Sequence, residues 1–269
     1  MLSVFHDLLY QPAIGPLLLM ARVTERIRLG PAALNPFTLH PYEIAGQIAM
    51  LDAVSGGRAY LGLAKGAWLD RLGIDETRPL SALKESVAII EALLAGDDSG
   101  VVGERFTLAP GTTLAYPRAR DDVPLLIGTW GEDTARWAGT VAEEVKIGGT
   151  ANAGLLPVVR GWIGNPGVRL VVGCVTVVDE DGEWARERAT AVVQPYLEVV
   201  ARHDPTLDPG EAPKWERFCI AGTPEDVAAR VVELWEAGAD RVELGTPQGR
   251  TPLAGVALIC ERVLPLLGT

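Results

Sequence analysis

The sequence has little cysteine and no long run of apolar residues. Its cysteines, Cys174, Cys219 and Cys260, show neither the spacing of a metal site nor the pairing of a disulfide framework. We therefore expect core thiols and no bound metal. No uncharged stretch approaches the length that spans a bilayer, and the first residues lack a basic segment followed by an apolar run and a cleavage site. These absences predict a soluble, cytoplasmic protein.

Positive charge is also scarce. The 269 residues include 24 Lys and Arg against 35 Asp and Glu, which gives a formal net charge of −11. This balance opposes binding to nucleic acid or to an anionic membrane, and no basic cluster offsets it. A phosphorylated coenzyme would meet the same repulsion, so backbone dipoles at helix N-termini or a few cations would have to hold its phosphate.

Apolar content, in contrast, is high. With 48% hydrophobic residues, a chain of this length can bury a large core, and no linker composition divides it. We therefore predict a single domain over residues 1–269. Strand-like runs alternate with helical patterns, which indicates parallel strands joined by helices. We count about seven such strands, with a doubtful further one at Phe218.

The stretch from Arg26 to Gly66 shows this organisation most clearly. Ile27 to Leu34 is extended, and Pro41 opens a helix with an apolar face. Gly56-Gly57 ends the helix, because glycine adopts a left-handed cap at little cost. Ala59 to Ala64 is apolar enough for a parallel strand buried on both faces. Together these segments predict a βαβ unit.

The same residues resemble a known family. The run Leu-Gly-Pro-Ala-Ala-Leu-Asn-Pro, the His-Pro that opens the helix, Leu-Asp-Ala-Val-Ser-Gly-Gly-Arg and the following Leu-Gly-Leu are similar to the bacterial-luciferase-like superfamily. They lie nearest its branch that uses the deazaflavin coenzyme F420 and includes methylenetetrahydromethanopterin reductase. The resemblance covers nearly the whole chain and implies an α/β fold of the (β/α)8 TIM-barrel type. Because members have a strand and helix upstream of the point matching Met1, we expect the first βα unit to be absent.

The resemblance also implies where the coenzyme binds. In the superfamily one strand carries a bulge with a non-prolyl cis peptide that backs the (deaza)flavin ring, and here it falls at about Ala32 and Ala33. Asn35, just beyond, is expected to hydrogen-bond the ring edge. Asp7 matches an acidic residue near ring and substrate, with a helix-entry cap as the alternative. His40 is a candidate for proton transfer, with capping or packing as the alternative.

Loops after other strands complete the predicted site. Small residues at a helix start leave backbone N–H groups accessible to a phosphate. Lys65 is a candidate cation and Trp68 a candidate wall of the substrate pocket, although a solvated lysine and ordinary packing are the alternatives. We expect His6, within its strand, to lie in the core. The residues predicted around the coenzyme phosphate or side chain are Thr129, Trp130, Gly131 and Glu132 on one side and Gly148, Gly149 and Thr150 on the other.

These features predict an F420-dependent oxidoreductase that moves hydride to or from an organic substrate. A deazaflavin carries hydride at one ring carbon, so the protein needs mainly to position it and exclude competing reactions. The alternatives are an FMN-dependent monooxygenase and a non-catalytic, truncated barrel that acts as a binding or structural subunit. The segment Ala-Lys-Gly-Ala-Trp replaces a Gly-Pro-Gly-Asp-Lys type loop of methanopterin reductase, which leaves the substrate open. The apolar helix from Pro12 to Val23 favours a homodimer.

Overall fold

A computed structural model of the chain describes residues 1–7, 10–208, 210 and 212–268. It divides into two compact units, the first formed by Met1–Gly128 and Val141–Glu143 and the second by Thr129–Thr140 and Glu144–Thr269. Parallel strands alternate with helices in each unit, as predicted. The single domain expected over residues 1–269 stays a prediction.

The first unit contains strands β1, β2, β3 and β6, helices α1, α2 and α3, and a short hairpin. β1 pairs with β2, and β3 pairs with β6, in both cases in parallel. Single bridges from Leu29 to Ala59 and from Leu34 to Leu63 link the β2 region to the β3 region. The elements are β1 (Leu2–Val4), α1 (Ile14–Arg22), β2 (Leu29–Pro31), α2 (Pro41–Ser55), β3 (Leu61–Ala64), α3 (Pro79–Ala95), β4 (Val101–Val102), β5 (Thr107–Leu108) and β6 (Leu125–Gly128).

Local sequence signals set the ends of α2. Pro41 occupies the first turn, where a missing N–H costs nothing, and His40 caps the helix by accepting a hydrogen bond from the N–H of Tyr42. At the other end Gly56 adopts φ 66°, in the left-handed region. The βαβ unit predicted from residues 26–66 is thereby confirmed.

Arg58 connects helices α1 and α2. Its guanidinium donates hydrogen bonds to the carbonyl oxygens of Ala21 (2.9 Å), Thr24 (2.8 Å) and Ile27 (2.7 Å), just where α1 ends. Its Nε donates to the carbonyl oxygen of Ser55, the last residue of α2, at 2.6 Å. One side chain therefore satisfies carbonyl groups that the helix ends leave open.

The second unit is built around the long strand β8, which pairs in parallel with β7, β9 and β10. β8 is buried along almost its whole length, which agrees with the β-branched run predicted as a strand. The doubtful strand at Phe218 is real and forms β9. The elements are α4 (Glu132–Val141), β7 (Glu144–Gly148), α5 (Leu156–Ile163), β8 (Arg169–Val178), α6 (Gly182–Ala201), β9 (Cys219–Gly222), α7 (Pro224–Glu236), β10 (Arg241–Gln248), α8 (Pro252–Leu258) and α9 (Leu264–Leu266).

Two helical segments depart from the sequence analysis. The prediction did not include α5, a short helix with Pro157 in its first turn. The sequence predicts one continuous final helix from about Pro252 to Leu267, and this prediction is wrong because a π-helical turn, Ile259–Val263, separates α8 from α9. Pro265 lies just beyond this turn and lacks an N–H, so it cannot continue the α-helical bonding pattern. Among the described helices, none has the length and hydropathy required to cross a membrane.

Candidate active site

A cavity of about 180 Å³ opens in the first unit, just past the carboxyl ends of β1, β2 and β3. Ligands of parallel α/β folds bind at this end of the strands. Two predicted site residues, Asp7 and Asn35, line the cavity together. The complete lining is His6, Asp7, Tyr10, Pro12, Asn35, Thr38 and Ala67.

Asn35 lies in a turn that fixes its side-chain amide. Its Oδ1 accepts hydrogen bonds from the N–H groups of Phe37 (3.1 Å) and Thr38 (2.9 Å) and from Thr38 Oγ1 (3.0 Å). Because all three groups are donors, the side-chain atom that they contact must be the amide oxygen. The amide nitrogen, Nδ2, has no acceptor among the residues that the structure describes. Gly66 packs closely here, because a Cβ at that position would lie 3.0 Å from Nδ2. Asn35 therefore offers an oriented N–H donor, as the predicted bond to a ring edge requires.

His6 also lines the cavity, so the expectation that it lies in the core is wrong. β1 ends at Val4, which places His6 in the loop beyond the strand. Its Nδ1 accepts a hydrogen bond from the N–H of Ala13 at 3.2 Å, so the neutral imidazole carries its proton on Nε2. Loops at strand ends are the usual place for such groups, and this was the signal available in the sequence.

His6 and Asp7 influence each other's ionisation. Burial lowers the pKa of His6, and the neighbouring Asp7 carboxylate partly opposes this shift. Burial raises the pKa of Asp7, and His6 partly opposes that shift in turn. Burial therefore favours the uncharged form of both groups, which suits proton exchange with a ligand rather than simple charge pairing.

Small residues from neighbouring strands lie beside this region. The peptide bond between Ala32 and Ala33 is cis, where the resemblance placed it. A Cβ on Gly128 would lie 3.3 Å from the Cβ of Ala64 and 4.0 Å from the Cβ of Ala33. Ala33, Ala64 and Gly128 thus lie close together, and none of them carries a side chain larger than a methyl group. Contact of Ala32 and Ala33 with the coenzyme stays a prediction.

His40 and Lys65 have other contacts in the same unit. His40 is exposed, caps α2 and packs its ring edge-to-face with Phe106 at a centroid distance of 5.4 Å. These contacts correspond to the capping and packing alternatives, and His40 is not part of the cavity lining. Lys65 Nζ lies 3.0 Å from Glu76 Oε2, and both side chains are 43% exposed. The charge of Lys65 is therefore partly compensated and solvated.

The two loops predicted around the phosphate belong to the second unit, where they contact each other. Trp130 Nε1 donates a hydrogen bond to the carbonyl oxygen of Gly148 at 2.9 Å. Thr129 Oγ1 accepts from the N–H of Gly131, also at 2.9 Å. Glu132 opens α4 and forms an ion pair with Arg136 one turn later. The structure thus brings these two predicted groups together within one unit.

Backbone donors in the second of these loops are already engaged. The N–H groups of Gly149 (2.6 Å) and Thr150 (3.2 Å) both donate to the carbonyl oxygen of Gly173. The buried Thr150 hydroxyl donates to the carbonyl oxygen of Arg217 at 3.2 Å. The first turn of α4 has N–H groups without an intrahelical acceptor, but it also carries the carboxylates of Glu132 and Asp133, which repel an anion. Contact of either loop with a phosphate stays a prediction.

Comparison with known proteins agrees with this arrangement. A profile of luciferase-like monooxygenases matches residues 11–241. The 5,10-methylenetetrahydromethanopterin reductase of Methanopyrus kandleri is 26% identical over 94% of this chain and 86% of its own. The F420-dependent glucose-6-phosphate dehydrogenase of Nakamurella multipartita is 33% identical over 97% of this chain and 84% of its own.

One solved structure extends the comparison to the fold. The coenzyme F420 dependent tetrahydromethanopterin reductase from Methanopyrus kandleri superposes with a TM-score of 0.82 at 24% identity, covering 98% of this chain and 90% of that one. The predicted fold class, an α/β fold of the luciferase-like barrel type, is confirmed. The absence of a first βα unit stays a prediction.

Proposed function

The chain belongs to the luciferase-like monooxygenase family, and from this premise we propose that it is an F420-dependent oxidoreductase acting on an organic substrate. The observation that carries the proposal is the polar cavity lined by Asp7 and Asn35, in the same unit as the cluster of small residues Ala33, Ala64 and Gly128. The relatives whose names include F420 support the choice of coenzyme. Bound F420 would supply the ring carbon that accepts or donates hydride.

The residues of this chain would position the ring rather than react with it. Ala33, Ala64 and Gly128 would support one face, because no side chain there is larger than a methyl group. Asn35 Nδ2 would donate a hydrogen bond to the ring edge, and its orientation is fixed before binding by three hydrogen bonds to Oδ1. Such preorganisation lowers the entropy lost when ring and substrate are brought together.

The cavity itself would hold the reacting part of the substrate. Its volume of about 180 Å³ is below the range of about 300–1,000 Å³ that is usual for whole ligand pockets, so it suits one polar group rather than a complete coenzyme. His6 Nε2–H has no acceptor among the residues that the structure describes and would donate to a substrate oxygen or nitrogen. Asp7, with its raised pKa, would exchange a proton there.

Titration with F420 tests the proposal directly. We expect quenching or a shift of deazaflavin fluorescence with a dissociation constant in the micromolar range, and an affinity about tenfold weaker for Asn35→Ala because one oriented donor is lost. Gln47→Ala, an amide removed from α2 outside the cavity, is the control and should bind as the wild type does. Absence of any binding at near-millimolar protein would contradict the proposal.

An FMN-dependent monooxygenase is the second candidate, favoured by the name of the family whose profile matches. The two differ in oxygen chemistry, which a deazaflavin largely lacks. Protein loaded with reduced FMN should consume oxygen no faster than free reduced FMN if F420 is the natural coenzyme. Rapid, protein-dependent and substrate-dependent uptake would support the monooxygenase instead.

A homodimer is the proposed assembly. Large apolar side chains remain exposed on α1, where Leu19 is 70% exposed, and at its C-cap, where Val23 is 82% exposed. On the adjoining α2, Met50 and Val54 are half exposed. Exposed apolar groups that are spaced one turn apart on packed helices favour burial against another protein surface. Sedimentation should give twice the monomer mass at micromolar concentration, and Val23→Glu should give the monomer. A monomeric wild type would count against this assembly.

A further inference from the structure

A carboxylate on α3 holds the turn of the β4–β5 hairpin. Glu85 accepts hydrogen bonds from the consecutive N–H groups of Glu104, Arg105 and Phe106, each at 3.0 Å. Burial raises the pKa of Glu85, but these bonds outweigh burial and hold the pKa below its usual value. Gly103 permits the approach, since a Cβ there would lie 2.5 Å from the carboxylate carbon. The backbone N–H groups of the turn therefore hold the Glu85 carboxylate of α3 in the way that a backbone nest holds an anion.

The same hairpin turn packs on the loop that carries Asn35. The Arg105 guanidinium lies 4.6 Å from the centre of the Phe37 ring. The buried Phe106 ring meets His40 edge-to-face. Phe37 is also one of the two residues whose N–H groups bind Asn35 Oδ1. The hairpin turn thus contacts Phe37 and His40, close in sequence to Asn35, and neither Phe37 nor His40 lines the cavity.

We propose that Glu85 is a positioning residue for coenzyme binding, acting through the hairpin on Asn35. By anchoring residues 104–106, it holds Arg105 against Phe37 and Phe106 against His40, and so keeps Asn35 Nδ2 directed at the cavity. This inference rests on the proposed function for its ligand, but the anchoring is a property of the free protein. Groups that orient a ligand-contacting side chain typically alter affinity by about 10- to 100-fold when removed.

Amide hydrogen exchange in the ligand-free protein tests the anchoring. Glu85→Gln keeps the size of the side chain but loses the charge and one acceptor, so exchange at the N–H groups of Phe37 and Thr38 should accelerate about tenfold. Glu91→Gln, on the same helix and without contact to the hairpin, should leave both rates unchanged. Unchanged rates in Glu85→Gln, or an equal acceleration at every amide, would overturn the proposal.

Coenzyme binding tests the consequence. F420 affinity should fall about tenfold in Glu85→Gln, and about threefold in Arg105→Met, which removes the guanidinium and leaves the hairpin anchored. In the double variant Glu85→Gln with Asn35→Ala, the F420 affinity should match that of Asn35→Ala alone, because both changes affect the same interaction, the hydrogen bond from Asn35. Additive losses would overturn positioning through Asn35. If the wild type does not bind F420, the proposed function fails, while the exchange rates still decide whether Glu85 holds the turn.

Discussion

Asn35 in the first unit and Asn152 in the second perform the same local task with different outcomes. Each accepts hydrogen bonds at Oδ1 from N–H groups of its own turn. Asn152 also uses Nδ2, which donates to Asp204 Oδ2 at 2.9 Å and to Thr206 Oγ1 at 2.8 Å. Asn35 lines the cavity, and its Nδ2 has no acceptor among the residues that the structure describes. A half-satisfied amide in a cavity indicates a ligand contact, whereas a saturated one indicates architecture.

The same contrast holds for the surrounding groups. Asp204 is almost fully buried and accepts hydrogen bonds from Asn152, from Thr206 and from Arg217. Asp7, in the first-unit cavity, has a pKa that burial raises and His6 lowers, without comparable donors in the described residues. The second-unit cluster therefore stabilises the fold, while the first-unit cavity keeps reactive groups at an energetic disadvantage.

Enlarging the cluster of small residues should give the largest effect. Gly128→Val places branched carbons where Ala64 and Ala33 already lie within 4.0 Å of a Cβ, so we expect F420 affinity to fall more than about 100-fold. Gly161→Ala in the second unit meets no atom within 4 Å of its Cβ, and should change affinity by less than about threefold. Circular dichroism must show both proteins folded. Comparable losses in the two variants would break the distinction between the units.

The substitution of Asp by Asn should change the free energy of unfolding in opposite directions in the two regions. Asp204→Asn replaces an accepting oxygen by an amide NH₂ group that faces the donors of Asn152 and Arg217. This change should lower the free energy of unfolding at pH 7 by about 3 kcal/mol. Asp7→Asn should raise it by less than that, because the ionised carboxylate disappears from a partly buried position. Urea unfolding of both proteins measures the two changes.

The pH dependence of the stability gained by Asp7→Asn tests whether the charge of Asp7 is its cause. A carboxyl group whose pKa is raised in the folded protein contributes stability below its unfolded value of 3.8, and this contribution is lost as pH rises through the folded pKa. The advantage of Asp7→Asn should therefore be present at pH 7, shrink as pH falls through the folded pKa and vanish only below the unfolded value of 3.8. An advantage that persists well below pH 3.8 would mean that Asp7 is unfavourable for a reason other than its charge.

Truncation of the two asparagines should separate binding from stability. Asn152→Ala removes one donor from Asp204 and one from Thr206, and should cost about 2 kcal/mol of unfolding free energy while F420 affinity stays unchanged. Asn35→Ala should do the reverse, with a loss of about 1 kcal/mol in stability and of tenfold in affinity. Equal effects of both truncations on affinity would show that the saturated cluster also serves the ligand.

Lys65 should show the smallest effect. Its ion pair with Glu76 is exposed, so Lys65→Met should change unfolding free energy by no more than about 0.5 kcal/mol. If the lysine attracts the coenzyme phosphate, affinity should fall about threefold at low ionic strength and by less at 0.5 M salt. Affinity that is the same for both proteins at either salt concentration would leave Lys65 as a solvated surface residue.

Much of the local structure could be predicted because its causes lie close together in the sequence. Pro41 and Gly56 mark the ends of α2, and Thr223 with Asp226 forms the capping box that opens α7. The break in the final helix could not be predicted as easily, since Pro265 acts through a π-helical turn that precedes it. For the site, the family resemblance pointed to Asp7 and Asn35, which line the cavity, but the expected extension of β1 to His6 wrongly placed that residue in the core.

The sequence by itself determined the alternation of parallel strands and helices, the family and the region around Ala32 to Asn35, because these depend on periodicity and on short motifs. Only the tertiary structure decided which N–H donors remain without an acceptor in the protein. Gly173 engages the N–H groups of Gly149 and Thr150, and Glu85 engages those of residues 104–106, across separations that no local pattern specifies. Hydrogen bonds between distant segments form only once folding brings those segments together, so the saturation of a polar group is a property of the fold.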